Sequence, residues 1–292
     1  MKDPLSASYS QCREFARRTA RNFYYSFLVL PRAKRRAMCA LYAFLRRTDD
    51  IGDSARPVQE RRRELDEWRR QLDATLAGGR PRDLWWLALR DTVDRYAIPA
   101  ERLHDVVDGV ASDLDTFRYA TFDELHRYCY RVASAVGLAC IRVWGAQDPR
   151  ADRYAEWCGI AFQLTNVLRD LVEDFGRGRI YLPQEDLAAF GVGESVFEKR
   201  TATPEFLDLM KFQIDRARTY LERSLELAHY LPPSGRAVYC VMRGLYGGLL
   251  EAIARSPESV LTRRVSLSMV QKVGCVARGL PVRYLGWSGR SV

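Results

Sequence analysis

The sequence predicts an all-α protein, and three features of the 292-residue chain lead to that class. Apolar residues recur at spacings of three and four along almost the whole chain, which is the period of a helix that buries one face. The alternating patterns of β-strands and the spacing of βαβ units are both absent. Hydrophobic residues make up 47% of the chain, enough for a substantial core. We therefore expect a single domain over residues 1–292, built from eight to ten helices.

The first two strongly patterned segments are predicted to be helices. Pro31 can open a helix that carries an apolar stripe through LPRAKRRAMCALYAFLRRTDD. The next segment, PVQERRRELDEWRRQLDATLAGG, places Leu65, Trp68 and Leu72 at spacings of three and four. Gly78 should end this second helix, because glycine readily adopts the left-handed conformation found after a helix C-terminus.

Helix signals continue through the second half of the chain. Thr121 and Glu124 form a capping-box pattern ahead of a long helix, FDELHRYCYRVASAVGLACIRVWG. Pro149 precedes another helix, which is predicted to run to Asp174, where GRGR ends it. Later helices are expected after Pro204, Ser234 and Pro257.

Two acidic clusters, far apart in the sequence, have the side chains of a metal site. Asp49 and Asp53 are four residues apart, so on a helix they point in nearly the same direction. Asn166, Asp170 and Asp174 repeat that spacing. Like charges at this spacing repel each other on an isolated helix, so their repeated use indicates a bound cation. Mg²⁺ fits best, because it prefers hard oxygen ligands and completes its shell with water and substrate phosphates.

Each cluster also has a simpler interpretation. A DDxxD run is common on solvated helix faces, where Arg46 would form an ion pair with Asp50. In the second cluster, Arg169 would pair in the same way with Glu173. The aromatic run RNFYYSF is either part of the core or, beside a diphosphate site, the wall of an apolar tunnel. The presence of both clusters favours the metal site over isolated ion pairs.

The charge of the chain favours anionic partners. It carries 46 Lys and Arg against 37 Asp and Glu, a net charge of +9, so nucleic acid, a membrane surface and phosphorylated substrates are candidates. The basic residues are spread through most predicted helices instead of lying along one recognition helix, which argues against a nucleic-acid-binding protein. The C-terminal stretch ARGLPVRYLGWSGRSV suits peripheral contact with a membrane, and a frayed tail is the alternative.

Cysteine and hydropathy patterns indicate a cytoplasmic protein that is soluble or peripheral. The seven cysteines are scattered and form no CxxC pair, which is typical of reduced, buried thiols. The three histidines lie far apart without an HExxH motif, so no zinc site is expected. We find no run of about 20 apolar residues and no signal-peptide pattern.

Four longer motifs give the chain a family resemblance: RNFYYSFLVLP, ALYAFLRRTDD, YCYRVASAVG and NVLRDLVEDFGRGRIYLPQEDL. Together with the acidic clusters, they make the chain similar to the squalene and phytoene synthase family from about Arg21 to Arg264. The resemblance implies an isoprenoid synthase type helical bundle with a central cavity. It also implies a Mg²⁺-dependent prenyltransferase that joins two prenyl diphosphates head to head.

The resemblance assigns polar roles by position in these motifs. The implied magnesium ligands are Asp49, Asp53, Asn166, Asp170 and Asp174. The implied diphosphate contacts are Arg21, Arg46, Arg169 and Arg264, or its neighbour Arg263, with Gln163 one turn before the second cluster.

The resemblance also assigns the hydrocarbon cavity and one mobile segment. The flexible RGRIYLP segment of the family corresponds to residues 177–183. Tyr42 joins the acidic clusters and Arg46 as a catalytic position. The implied cavity positions are Phe23, Phe27, Tyr42, Tyr128, Val132, Val136, Gly137 and Tyr246.

The identity of the product stays open between two family members. The first half-reaction gives presqualene diphosphate from farnesyl diphosphate, or prephytoene diphosphate from the twenty-carbon substrate. NADPH is implied only if the reaction continues to squalene, and the chain has no GxGxxG motif. FYYSF, DDIGD and RGRIYLPQEDL most resemble bacterial, hopanoid-associated presqualene diphosphate synthases, with phytoene synthase as the alternative. Thr19 and Asn22 depart from the family pattern of His or Gly and Ser.

Overall fold

The structure is a computed structural model, and it describes residues 3–20, 22–79 and 83–285. Every regular element in these ranges is helical, apart from one isolated parallel bridge between Arg118 and Ile180. The all-α class is confirmed, whereas eight to ten helices was too low a number, because short helices also form in the segments that connect the long ones. The α-helices of the described ranges are α1 (Pro4–Thr19), α2 (Asn22–Phe27), α3 (Arg32–Gly52), α4 (Val58–Leu76), α5 (Trp86–Tyr96), α6 (Ala100–Ser112), α7 (Phe122–Cys129), α8 (Ala135–Trp144), α9 (Ala151–Arg169), α10 (Leu171–Gly176), α11 (Gln184–Ala189), α12 (Ser195–Lys199), α13 (Pro204–Arg223), α14 (Pro233–Arg255) and α15 (Met269–Leu285).

Three of the predicted helix start and stop signals are confirmed. Pro31 is the residue immediately before α3, and Gly78 follows α4 with a φ of +89°, a conformation that favours glycine. At the start of α7, the Thr121 hydroxyl accepts a hydrogen bond from the Glu124 backbone N–H at 3.3 Å. Each of these helix ends is therefore marked by a local sequence signal.

Helix α3 lies at the centre of the first hydrophobic core and carries the first acidic cluster. It packs against α1, α4, α5, α6 and α8. The rings of Phe44 and Trp68 stack with centroids 5.8 Å apart, and Trp86 lies 4.4 Å from Trp68. The buried Trp68 indole also donates a hydrogen bond to Thr48 Oγ1 at 2.9 Å. Burial of these large rings holds α3 rigidly, and the acidic cluster at its C-terminal end with it.

Helix α9 joins the two halves of the bundle and carries the second acidic cluster. It packs against α7, α8, α13 and α14. Ile160, Leu164 and Leu168 on this helix are buried in the second core. Tyr130 packs against both the first and the second core, so the two cores are continuous.

The helix predicted after Thr121 is interrupted by one π-helical turn. This turn, Tyr130–Ser134, separates α7 from α8. It lies where α9 approaches most closely, since a Cβ on Gly159 would be 2.5 Å from Ser134 Cα and 2.6 Å from Ser134 N. Such turns often occur at functional sites because they change which side chains face a neighbouring element.

The helix predicted to run to Asp174 instead bends at Asp170. Asp170 has a φ of −103° and a ψ of 12° and separates α9 from α10. Its N–H still donates to the Asn166 carbonyl at 3.0 Å, and the Asp174 N–H donates to the Asp170 carbonyl at 2.9 Å. The helical hydrogen-bond pattern therefore continues from Asn166 through Asp170 to Asp174. The bend itself was not predicted from the spacing of these residues.

No apolar segment long enough to span a membrane was predicted from the sequence, but within the described ranges helix α14 is such a segment. It has 23 residues and an 18-residue window with a mean hydropathy of 1.2, enough to cross a membrane by length and composition. Half of that window is buried inside the bundle, including Val238 and Leu250, so α14 is a core helix here. All seven cysteines are free and buried, as predicted.

Candidate active site

The two acidic clusters face each other across one cleft, and Arg177 joins them. Arg177 Nη1 lies 3.6 Å from Asp53 Oδ1, directly after α3. Arg177 Nη2 lies 3.1 Å from Glu173 Oε1 on α10. One guanidinium therefore contacts both clusters, although they are remote in sequence. Two unrelated solvated helix faces could lie on opposite surfaces of the bundle, but these two clusters lie on the same side.

The first cluster crowds carboxylates at the end of α3. Asp49 lies one turn before Asp53, whose N–H donates to the Asp49 carbonyl at 2.8 Å. Loss of hydration, reinforced by the Asp53 carboxylate, raises the pKa of Asp49 to about 7. Asp49 nevertheless keeps an exposed surface, so the cleft restricts its hydration without closing over it. Arg46 forms the anticipated ion pair with Asp50, with Nη2 2.7 Å from Oδ1.

The second cluster is held by arginines from two segments. Arg169 Nε donates to Asp170 Oδ1 at 2.8 Å, so its pairing partner is not Glu173, the residue suggested by spacing. Of the two C-terminal arginines proposed for diphosphate, Arg264 reaches the cluster, with Nε 2.8 Å from Asp170 Oδ1. Its Nη1 lies 3.8 Å from Glu173 Oε2. These cations neutralise the carboxylates and are also suitable donors to a diphosphate anion.

The donor set of the second cluster fits a magnesium ion. Asn166 Oδ1 is buried without a hydrogen-bond partner in the described part of the chain, whereas Asn166 Nδ2 donates to Gln163 Oε1 at 3.2 Å. Loss of hydration and the Asp170 carboxylate raise the pKa of Asp174 to about 7. An unpartnered amide oxygen beside crowded carboxylates suits Mg²⁺. Within the described residues, no three or more His, Cys, Asp or Glu side chains are already grouped closely enough to hold a metal ion by themselves. A magnesium ion here would therefore need water and substrate phosphates as further ligands.

A third carboxylate, which sequence reasoning missed, belongs to the same cleft. Asp113 follows α6, and its Oδ2 accepts a hydrogen bond from the Tyr128 hydroxyl at 2.7 Å. Arg179 Nη2 donates to the Asp113 carbonyl at 2.9 Å. Loss of hydration raises the pKa of Asp113 to about 6, and the Asp53 carboxylate contributes to that rise. Asp113 has no acidic neighbour at helical spacing, so no local pattern marked it.

Tyr128 was expected at the hydrocarbon cavity, and its hydroxyl lies in this polar network. Its ring stacks on Tyr181, with centroids 5.2 Å apart, and Tyr119 stacks on Tyr181 at 6.0 Å. Tyr181 lies in the segment expected to be flexible, residues 177–183. The ring stack and the bond from Arg179 to Asp113 hold that segment against α6 and α7.

Two aromatic pairs lie beside the charged clusters. Phe27 contacts Tyr42 edge to face, with centroids 6.4 Å apart, and Phe162 stacks on Tyr246 at 3.9 Å. Loss of hydration raises the pKa of both tyrosines. The positive charge of Arg46 acts on the pKa of Tyr42, and that of Arg169 on the pKa of Tyr246. Each aromatic ring therefore lies close to the arginine of one acidic cluster, so apolar surface begins directly beside each cluster.

The other predicted cavity residues lie on the π-helical turn and on α8. Val132, Val136 and Gly137 are half-buried there. Arg21 lies outside the described residues, as does the Phe23 side chain. Crowded carboxylates, arginines and an adjoining apolar surface together suit a ligand with an anionic head and an apolar tail.

Comparisons with known proteins show which sequences and structures the chain resembles. A family model described as squalene/phytoene synthase matches residues 16–271. The chain is 37% identical to 15-cis-phytoene synthase of Synechococcus elongatus over 283 residues, covering 92% of this chain and 91% of that protein. It is 35% identical to phytoene synthase of Mycobacterium tuberculosis over 279 residues, covering 94% and 91%.

Solved structures share the fold over nearly the whole chain. A dehydrosqualene synthase in complex with ligand has a TM-score of 0.88 and 28% identity, covering 95% of this chain and 98% of that one. Squalene synthase HpnC from Alicyclobacillus acidocaldarius has a TM-score of 0.81 and 27% identity, covering 86% and 94%. The helical bundle described above is thus the isoprenoid synthase fold of these neighbours.

Proposed function

Because this chain belongs to the squalene/phytoene synthase family of prenyltransferases, we propose that it condenses two farnesyl diphosphates into presqualene diphosphate with Mg²⁺. The observation that carries the proposal is the contact of Arg177 with both Asp53 and Glu173. It brings two carboxylate clusters to one cleft, where a single diphosphate can engage both. The free, buried cysteines support a cytoplasmic location.

The polar residues hold the diphosphate groups and the metal. Asp49, Asp53, Asn166, Asp170 and Asp174 would hold the magnesium, with the unpartnered Asn166 Oδ1 as one donor. When bound, magnesium stabilises negative charge on the departing pyrophosphate. Arg46, Arg169 and Arg264 are positioned beside the carboxylates to bind the same anion.

The reaction begins when the C1–O bond of one prenyl diphosphate breaks and pyrophosphate leaves. Arginine side chains in the cleft stabilise the charge that develops on the leaving group. The allylic cation then adds to the double bond of the second prenyl chain. That step requires a dry environment, and the aromatic surface of Tyr42, Phe27, Phe162 and Tyr246 both excludes water and stabilises passing positive charge.

Addition leaves a tertiary cation on the second prenyl chain, and loss of a proton closes the cyclopropane ring, because the electrons of the broken C–H bond form the last ring bond. The raised pKa of Tyr42 keeps its phenol protonated at neutral pH, and a neutral phenol is a weak base. The released pyrophosphate is a stronger base than this neutral phenol, so we assign it the proton. The balanced products of two farnesyl diphosphates are then presqualene diphosphate, pyrophosphate and one proton.

A second candidate substrate has its own support. Relatives at 35–37% identity are named phytoene synthase, which favours two geranylgeranyl diphosphates as substrates. The motifs FYYSF and DDIGD favour the fifteen-carbon substrate. The solved neighbours are named dehydrosqualene synthase and squalene synthase. NADPH enters only if the product is carried on to squalene.

Product analysis separates these candidates. The protein is incubated with Mg²⁺ and either farnesyl or geranylgeranyl diphosphate, with and without NADPH, and the products are identified by mass spectrometry. We expect presqualene diphosphate from farnesyl diphosphate as the main product without NADPH. Preferential conversion of geranylgeranyl diphosphate to phytoene would replace the first candidate with the second, and no condensation of either substrate would contradict both.

A further inference from the structure

We propose that the outward face of α15 docks onto the surface of an anionic lipid bilayer. This inference goes beyond the proposed function, because it concerns a surface that shares none of the proposed magnesium ligands. It depends on the apolar side chains of α15, on the charge of the surrounding segment and on a cleft beside the helix.

Helix α15 packs one face on α14 and leaves large apolar side chains on the opposite face. Cys275 and Val282 are buried, and a Cβ on Gly279 would lie 2.4 Å from Val241 Cγ2, so the two helices are in close contact. At about 100° per residue, the exposed apolar positions fall within an arc of about 100° that points away from this contact. Their exposed fractions are 61% for Met269, 82% for Val270, 60% for Val273 and 42% for Leu280.

The segment that carries this face has charged side chains of one sign. No Asp or Glu occurs in the sequence after Glu258, whereas six Lys and Arg do, although one of them, Arg264, pairs with Asp170 in the cleft. Lys272 and Arg278 lie on the two sides of the apolar arc on α15. An apolar arc flanked by cations is the pattern by which interfacial helices bind anionic membranes, because burial of apolar area and attraction to lipid headgroups act together.

A cleft of about 570 Å³ adjoins this face between α14 and α15. Leu267, Cys275 and Ala277 contribute apolar surface to it, and Arg255 and Arg278 contribute cations. Gly244 on α14 keeps the cleft open, since a Cβ there would lie 3.4 Å from the Cys275 sulfur. The mixture of apolar lining and guanidinium groups matches a lipid tail attached to a phosphate headgroup.

A second copy of the chain is the competing occupant. A symmetric pairing of two α15 faces would bring Lys272 and Arg278 of each copy close to the same cations of the other. Like charges opposed across an interface are unfavourable. A bilayer with anionic headgroups offers the complementary charge, so the lipid surface is the better match.

Vesicle flotation tests the proposal with the full chain. Phosphatidylcholine vesicles with about 30% phosphatidylglycerol should bind the protein, whereas pure phosphatidylcholine should bind it much more weakly, and high salt should release it. The double variant Val270→Asp with Val273→Asp should weaken binding at least tenfold. The matched control is Leu207→Asp on α13, whose side chain is 38% exposed and should not affect binding.

Three results would overturn the proposal. The double variant could bind anionic vesicles like the unmodified chain, or binding could be equal on neutral vesicles. Alternatively, sedimentation could show a dimer that Val270→Asp dissociates, which would make this face a subunit interface. Helical circular dichroism and prenyl transfer in vesicle-free buffer should be unchanged in both variants, so loss of docking is distinguishable from failure of the proposed function.

Discussion

The cleft concentrates carboxylates that would repel one another without cations, and arginines lie among them. Arg177 spans the two clusters, and Arg169 and Arg264 both contact Asp170. When a diphosphate and its magnesium bind, these ion pairs could be replaced by contacts to the ligand. The carboxylates would then bind the metal, and the arginines would bind the anion. The same side chains would thus stabilise the ligand-free cleft and, under the proposed function, bind the substrate.

The raised pKa values of Asp49 and Asp174, both about 7 against an ordinary 3.8, give the ligand-free protein a pH dependence. A carboxyl whose pKa is higher in the folded state favours folding when protonated. That contribution is complete below about pH 4 and is lost as the pH rises through about 7. Magnesium binds the deprotonated forms, so its affinity should rise over the same window.

Thermal unfolding at pH 6 and pH 8, with and without millimolar Mg²⁺, tests this linkage. We expect Mg²⁺ to raise Tm more at pH 8 than at pH 6. The double variant Asp49→Asn with Asp174→Asn should lose most of that difference. An equal rise at the two pH values in the unmodified chain would contradict the assignment of these carboxylates to the metal.

Under the proposed function, the aromatic wall should determine how much hydrocarbon the cleft accepts. Tyr246→Ala removes a ring stacked on Phe162 and should enlarge the apolar space. We expect the ratio of kcat/KM for geranylgeranyl over farnesyl diphosphate to increase about tenfold, the size of effect that one apolar contact can have on specificity. Tyr246→Phe keeps the ring and serves as the control. An unchanged ratio in Tyr246→Ala would place Tyr246 away from the prenyl chain.

Among the elements, the contact between α9 and the π-helical turn positions the second acidic cluster. Gly159 allows the two backbones to approach closely. The sequence predicted one continuous helix here and not the π-helical turn, because the turn lies against a neighbour that is remote in sequence. The bend at Asp170 was not predicted either, and it lies where Arg264, from a distant segment, pairs with that residue.

Gly159→Ala should therefore destabilise the protein. The added Cβ would lie 2.5 Å from Ser134 Cα, a backbone atom that cannot rotate away. We expect a loss of about 1–3 kcal/mol in the free energy of unfolding, measured by urea denaturation. Gly274→Ala on α15, where an added Cβ meets nothing within 4 Å, is the control and should be neutral or slightly stabilising. If Gly159→Ala were as stable as Gly274→Ala, the close contact between α9 and the π-helical turn would not be needed for stability.

In the whole molecule, two continuous cores hold α3 and α9 so that their acidic ends meet. Tyr130 packs against both cores, which supports the proposal of one domain over residues 1–292. Helical periodicity was sufficient to predict the fold class, and i,i+4 spacing identified the five oxygen ligands of the proposed metal site. Asp113 and Arg179 could not be found in this way, because they reach the cleft only through the packing of α6 and the loop after α10.

The central claim is that both acidic clusters bind one diphosphate. Its most direct test is the rise in Tm caused by Mg²⁺ together with an unreactive farnesyl thiodiphosphate, measured for the unmodified chain, Asp49→Asn, Asp170→Asn and the double variant. Asp66→Asn on α4 is an exposed control. We predict that either single substitution removes most of the ligand-induced rise and the double variant loses little more, because the clusters act as a unit. Retention of the full rise in either single variant would contradict the claim.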